Sequence, residues 1–145
     1  MPNYAVKRLI AADPQTIWNL LTDAPNYRTW NPAVVGIEGT IAPGERIKLT
    51  STVNPKRAFK LTVTEFGPPN KMVWADGMPL GLFKGVRTYR LTPQANGGTE
   101  FSMEEVFSGL LEPIISKSIP DMTESFQQFA EGLRQAAEAG DRDRR

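Results

Sequence analysis

Between about Glu112 and Ala139, large apolar residues fall at Ile115, Ile119, Met122, Phe126, Phe129, Ala130 and Leu133. Steps of three, four and seven place them on one face of a long amphipathic helix. That stripe must be buried against something, and what precedes it is a run of alternating, strand-like segments. A long helix lying across a curved antiparallel sheet satisfies both patterns. The expected class is therefore α+β, with room for a hydrophobic ligand chamber between the helix and the sheet.

Turn chemistry divides the rest of the chain. Tyr4 to Ala11 reads as a first strand. Asp13-Pro14 follows, a capping carboxylate with proline at the first helical position, where a missing N–H costs nothing. Ile17, Leu20 and Leu21 supply a helix face to about Thr22. Asp23 caps a second short turn from Pro25, which ends at Asn31-Pro32 because the residue before proline resists helical geometry. The next strands are Val34 to Glu38, Arg46 to Val53, Ala58 to Phe66 and Met72 to Asp76. Between them lie Ile41-Ala42-Pro43-Gly44, which suits a type II turn, Asn54-Pro55, and Gly67-Pro68-Pro69-Asn70. Gly77 to Phe83 is expected as an apolar loop. Lys84 to Thr92 and Thr99 to Ser108 flank Asn96-Gly97-Gly98, a strong hairpin signal. The terminal helix should begin near Leu110, with Pro113 in its first turn and Pro120 kinking or dividing it. Residues 1–140 form one domain, and the charged stretch from Gly140 to Arg145 reads as a frayed tail.

Composition excludes several chemistries. The chain has neither cysteine nor histidine. Disulfides, thiolate catalysis, cysteine-bound metal clusters and the imidazole acid–base route are all closed to it. No metal and no cofactor are expected. A net charge of +1 over 145 residues argues against nucleic acid, which needs a concentrated basic surface. Lys56, Arg57 and Lys60 read as a solvated turn and strand edge. No apolar stretch approaches the ~20 residues needed to cross a bilayer, and the N-terminus lacks the apolar run of a secretory signal. The cytoplasm is the default location.

The last hairpin carries the sharpest expectation. If the last hairpin pairs Leu91 with Phe101, a register its glycine turn makes plausible, then Tyr89 faces Met103, Arg87 faces Glu105 and Gly85 faces Phe107, all on one sheet face. Phe101, Met103 and Phe107 make that face apolar, so it is the one the helix covers. Arg87, Tyr89 and Glu105 then become polar groups in a greasy chamber. They form either a structural ion pair, since a lone buried charge is costly, or a handle for a ligand carbonyl or carboxylate. Catalysis is a third reading, with Arg87 orienting a carbonyl or enolate, Tyr89 donating a proton and Glu105 or Asp76 as the carboxylate. No catalytic residue is assigned.

Around this handle, Met122, Phe126 and Phe129 are expected to face the chamber from the helix. Met78, Leu80 and Phe83 are expected at its rim, with Gly77 and Gly81 as hinges; the same loop could serve as a core plug or as a patch for a second copy of the chain. Trp30 could line the same opening. Trp18 and Trp74 read as core residues, and Trp74 is kept with the candidate lining.

Ile10-Ala11-Ala12-Asp13-Pro14, Ile17-Trp18, Leu20-Leu21-Thr22-Asp23, Tyr27, Trp30-Asn31-Pro32, Pro43-Gly44-Glu45 and Gly97-Gly98-Thr99, with the closing helix, resemble the START-like helix-grip superfamily, also called SRPBCC or polyketide cyclase/dehydrase. The resemblance spans nearly the whole chain. It implies a strongly bent antiparallel sheet of about seven strands around one long C-terminal helix, with two short helices between strands 1 and 2. Members bind lipids, sterols, polyketides, plant hormones or quinones between sheet and helix; some cyclise or aromatise polyketides, and relatives of the Hsp90 activator domain bind a protein. The aromatase pattern of arginine, tyrosine and tryptophan does not map onto this chain, and the iron-binding relatives use cysteine and histidine ligands that it lacks. Three readings follow: a carrier of a small hydrophobic molecule of lipid, polyketide or isoprenoid type, a cyclase- or dehydratase-like enzyme, and a protein-interaction module.

Overall fold

The computed structural model of the chain describes residues 3–143. Seven strands occur: β1 (Asn3–Ile10), β2 (Val34–Glu38), β3 (Arg46–Ser51), β4 (Ala58–Gly67), β5 (Lys71–Met78), β6 (Phe83–Pro93) and β7 (Thr99–Ser108). They form one sheet in the order β1-β7-β6-β5-β4-β3-β2, with every neighbouring pair antiparallel. Two short helices, α1 (Pro14–Leu21) and α2 (Tyr27–Trp30), lie between β1 and β2, as the resemblance implies. The helix-grip arrangement is completed by α3 (Glu112–Ile115) and α4 (Thr123–Asp143).

Local chemistry explains the boundaries. Asp13 Oδ1 accepts the Thr16 N–H at 2.7 Å and Pro14 opens α1. Glu45 N–H donates to Ala42 O at 3.1 Å, closing the Pro43-Gly44 turn, with Gly44 at φ +76°. In the last hairpin, Gly97 takes φ +88° and Gly98 N–H donates to Asn96 Oδ1. The apolar loop expected over Gly77 to Phe83 is shorter than its composition suggests. Pairing of β5 with β6 continues through Gly77↔Lys84 and Met78↔Phe83, leaving only residues 79–82 as the connection. Gly77 permits this, because a Cβ there would lie 2.5 Å from the Phe83 carbonyl oxygen.

Pro120 divides the C-terminal helical region. A 3₁₀ turn (Ser116–Ser118) follows α3, and Ile119 is extended (φ −84°, ψ 125°), as a residue before proline prefers. Asp121 Oδ1 then accepts both the backbone N–H (2.9 Å) and the hydroxyl (2.7 Å) of Thr123, and α4 begins. The stripe therefore splits: Ile115 ends α3 and Ile119 lies in the connection to α4, whereas Phe126, Phe129, Ala130, Leu133 and Ala137 form the buried face of α4. Each large apolar side chain buried there contributes about 1.5–3 kcal/mol. Helix α4 runs through Asp143, into the stretch read as a tail; Arg144 and Arg145 lie outside the described residues.

Polar ties set the position of α4 along β1. Arg8 Nη2 donates to Gln127 Oε1 at 2.6 Å, and Arg8 Nε lies 3.6 Å from Glu131. Ala11 N–H donates to Glu138 Oε2 at 3.0 Å, and Arg134 bridges Glu131 and Glu138. Gly132 lets α4 press against the end of α2: a Cβ there would meet the Trp30 carbonyl oxygen at 2.4 Å.

Candidate functional site

The registers of β5, β6 and β7 build the site in cross-strand rows. Leu91↔Phe101, Tyr89↔Met103, Arg87↔Glu105 and Gly85↔Phe107 all occur, as the hairpin turn predicts. Strand β5 extends three of these rows with Met72 beside Tyr89, Trp74 beside Arg87 and Asp76 beside Gly85. Directly opposed residues share a face, so one concave surface carries all of these side chains.

Aromatic rings dominate that surface. Trp74 meets Tyr89 edge to face at 4.8 Å, and Phe129 of α4 lies 5.9 Å from Tyr89, 6.3 Å from Phe101 and 5.8 Å from Trp30. Tyr27 joins Trp30, Trp74 and Phe129. Towards the other end of the sheet, Phe83 stacks on Phe107, and Tyr4 connects Phe107 to Phe126. The space under the helix, expected as a chamber, is occupied by the protein's own rings in this state. The cause is the docking of α4, which brings Phe126 and Phe129 down onto the sheet with each 2 % exposed.

Four polar side chains interrupt the apolar surface. Arg87 Nε donates to Glu105 Oε1 at 2.6 Å, with both side chains largely buried, and its guanidinium lies 4.9 Å from the Phe126 ring centroid. Burial works against the Arg87 charge, but Glu105 and Tyr89 outweigh it, so its pKa rises above its ordinary value. Burial pushes the Tyr89 hydroxyl up to about 12 against the lowering pull of Arg87. Asp76, half-buried, is raised chiefly by desolvation. Arg87 acts on the Tyr89 oxygen by its charge and as a hydrogen-bond donor of poor geometry, which leaves the phenolic proton without an acceptor, and Trp74 Nε1 is likewise buried without a partner.

The candidate residues separate into three places. Trp74, Arg87, Tyr89, Phe101, Met103, Glu105, Phe126 and Phe129 come together between sheet and helix. Phe83 is buried against Phe107, and Met122 packs on the core margin. Met78 and Leu80 instead lie outside that space, 48 % and 91 % exposed. Trp30 bridges inside and outside: its ring meets Tyr27 and Phe129, and it also borders a surface cleft of about 600 Å³ between α2 and α4. Tyr27 and Tyr4 complete the aromatic array but were not among the sequence candidates. The dense aromatic load of the α1–α2 region was the signal for Tyr27; nothing local marked Tyr4, which reaches Phe126 only through the docking of the helix on β1. Among the described residues, no group of three acidic, cysteine or histidine side chains could hold a metal ion.

A curled seven-stranded antiparallel sheet gripping a C-terminal helix, with a polar row set among aromatic rings, defines a START-like helix-grip protein. The profile of the family described as polyketide cyclase / dehydrase and lipid transport matches residues 1–138, and the chain belongs to that family. Solved structures agree on the fold. A hypothetical protein from Helicobacter pylori superposes with a TM-score of 0.75 at 14% identity, covering 94% of this chain and 88% of the other. A protein from Mesorhizobium loti gives 0.73 at 20% identity, covering 97% and 99%. A START superfamily protein from Mycobacterium smegmatis gives 0.64 at 15% identity, covering 99% of each chain. No curated protein matches the sequence.

Proposed function

We propose that the protein binds a small, mainly apolar molecule of lipid, polyketide or isoprenoid type between the sheet and α4, and that an oxygen acceptor on that molecule is held by Tyr89 and Trp74. The observation that carries this reading is a pair of buried donors without an acceptor, the Tyr89 O–H and the Trp74 Nε1–H, beside the Arg87–Glu105 ion pair. A buried donor without an acceptor costs about 1–3 kcal/mol, a cost that a ligand carbonyl or hydroxyl would remove. The surrounding rings supply apolar walls. Room for the ligand comes from displacing Phe126 and Phe129, and the broken segment between α3 and α4 is the natural place for the helix to yield, because Pro120 leaves it without a continuous helical ladder.

Family membership supports the same reading at the level of class. A carrier fits the electrostatics better than an enzyme does. Tyr89, at about 12, is a hydrogen-bond donor at neutral pH but lies far from the range in which general acid–base catalysis is efficient. The observation favouring a cyclase- or dehydratase-like activity is Asp76, a half-buried carboxyl on the same face whose pKa desolvation raises. Native mass spectrometry of protein purified without detergent tests the carrier reading, with a retained small molecule as the expected result. Protein that is consistently ligand-free, and that no fatty acid, isoprenoid or polyketide stabilises thermally, would overturn it. Turnover of a polyketide probe that is lost in Asp76→Asn would favour the enzyme instead.

A further inference from the structure

One end of the sheet carries an apolar tip that the interior site does not use. Leu80, Leu110, Ile114 and Met78 are 91 %, 78 %, 71 % and 48 % exposed. They belong to one backbone knot. Leu110 N–H donates to Gly81 O at 3.2 Å and Leu111 N–H donates to Leu82 O at 2.7 Å, tying the β5–β6 connection to the segment entering α3. Gly109, at φ +111°, allows this, since a Cβ there would strike the Leu82 carbonyl. Leu80 itself holds φ +62°, a left-handed conformation that a branched side chain rarely adopts, and it gains no burial in return. The knot keeps Leu80 and Leu110 outward rather than letting them fold onto the core.

Basic residues flank the tip. Lys84 follows Phe83 on the exposed face of β6, and Lys117 lies in the turn after α3; both are exposed. The β3–β4 connection reaches the same end of the sheet and brings exposed Lys56 and Arg57, the latter close enough for its charge to act on Asp76. Two of the acids at this end are withdrawn from the surface: Asp76 is half-buried on the concave face, and Glu112 is buried and accepts from the Ser116 hydroxyl. Asp121 is exposed but is tied to Thr123 at the start of α4.

We infer that this tip docks on an anionic lipid surface, with Leu80, Leu110 and Ile114 entering the interface and Lys56, Arg57, Lys84 and Lys117 lying against the headgroups. Apolar side chains on a rigid tip gain by leaving water, and each nearby cation adds attraction to an anionic leaflet. A second copy of the chain is the poorer occupant. A two-fold contact through this patch would set the same basic ring against itself. The inference is independent of what the interior binds.

Co-sedimentation with vesicles of phosphatidylcholine plus phosphatidylserine, against phosphatidylcholine alone, tests it. The wild-type chain should partition onto the anionic vesicles and be released as salt is raised. Leu80→Asp combined with Leu110→Asp should weaken partitioning about tenfold or more, with an unchanged melting temperature because both side chains are exposed. Lys84→Glu combined with Lys117→Glu should also weaken it and remove most of the salt dependence; this pair carries the test if the leucine variants fold poorly. Failure of the wild-type chain to bind anionic vesicles at low salt overturns the inference, as does equal binding by the variants. A dimer in sedimentation equilibrium that Leu80→Asp/Leu110→Asp dissociates would also overturn it, marking the tip as a subunit interface.

Discussion

Trp74 and Tyr89 meet edge to face, their ring centroids 4.8 Å apart, and each ends in a buried donor with no well-formed hydrogen bond. Arg87, directly opposite Trp74, and Glu105, directly opposite Arg87, satisfy each other at 2.6 Å. The concave face thus holds a closed ion pair beside two open donors, a division of roles that single substitutions can separate.

Tyr89→Phe removes a buried hydroxyl whose proton has no acceptor and keeps the ring. Stability of the ligand-free protein should stay level or rise by about 1 kcal/mol, while affinity for a carbonyl-bearing ligand falls. Denaturant melts run beside ligand titrations check both. A marked loss of stability would mean that the hydroxyl is satisfied in the folded protein.

Arg87→Met should destabilise the fold by about 3 kcal/mol, because it leaves the Glu105 carboxylate largely buried without its partner. Adding Glu105→Leu should restore most of that loss, since replacing both charges with apolar groups removes the uncompensated ion. A double-mutant cycle measures the coupling; additive losses would show that the two groups act separately.

Gly132→Ala places opposing effects on one atom. Alanine improves helix propensity by about 1 kcal/mol, but its Cβ would lie 2.4 Å from the Trp30 carbonyl oxygen. Both sides of that approach are backbone, so overpacking should win, for a net loss of about 1–2 kcal/mol. The same substitution at Gly140, where a Cβ meets nothing within 4 Å, should be neutral or stabilising. Thermal melts of the two variants compare them directly.

Alkali should act through Tyr89. With a folded pKa of about 12 against an ordinary 10.0, the folded state keeps its phenolic proton more tightly than the unfolded chain. The corresponding stability is present below pH ~10 and is lost as pH rises towards ~12. Tyr27, raised in the same direction mainly by burial, adds to the loss. Acid acts through Glu131, which hydrogen bonding by Arg134 lowers from 4.5 to about 2, so its tie to α4 and β1 weakens as pH falls from ~4.5 towards ~2. Denaturant melts across pH should narrow at both ends, and Tyr89→Phe should remove part of the alkaline loss only.

Residues close along the chain, or opposed across a tight hairpin, were legible before any fold was known. Asp13-Pro14 marked the start of α1, Asn96-Gly97-Gly98 marked the hairpin in which Arg87 opposes Glu105, and the spacing of Phe126, Phe129 and Leu133 identified the buried face of α4. These depend on local dihedral preference and on fixed periods of 2 and 3.6, which the residue order contains. Tertiary structure alone decided that Phe126 and Phe129 fill the space under the helix, that Leu80 faces water, and that Tyr27 and Tyr4 join the aromatic array. It also decided between the two outcomes open at Pro120: the helical region is divided there, between the 3₁₀ turn and α4, rather than kinked. Those outcomes depend on how far the sheet curls and where Arg8, Gln127 and Glu131 set α4 along β1, distances between groups more than a hundred residues apart that no local pattern encodes.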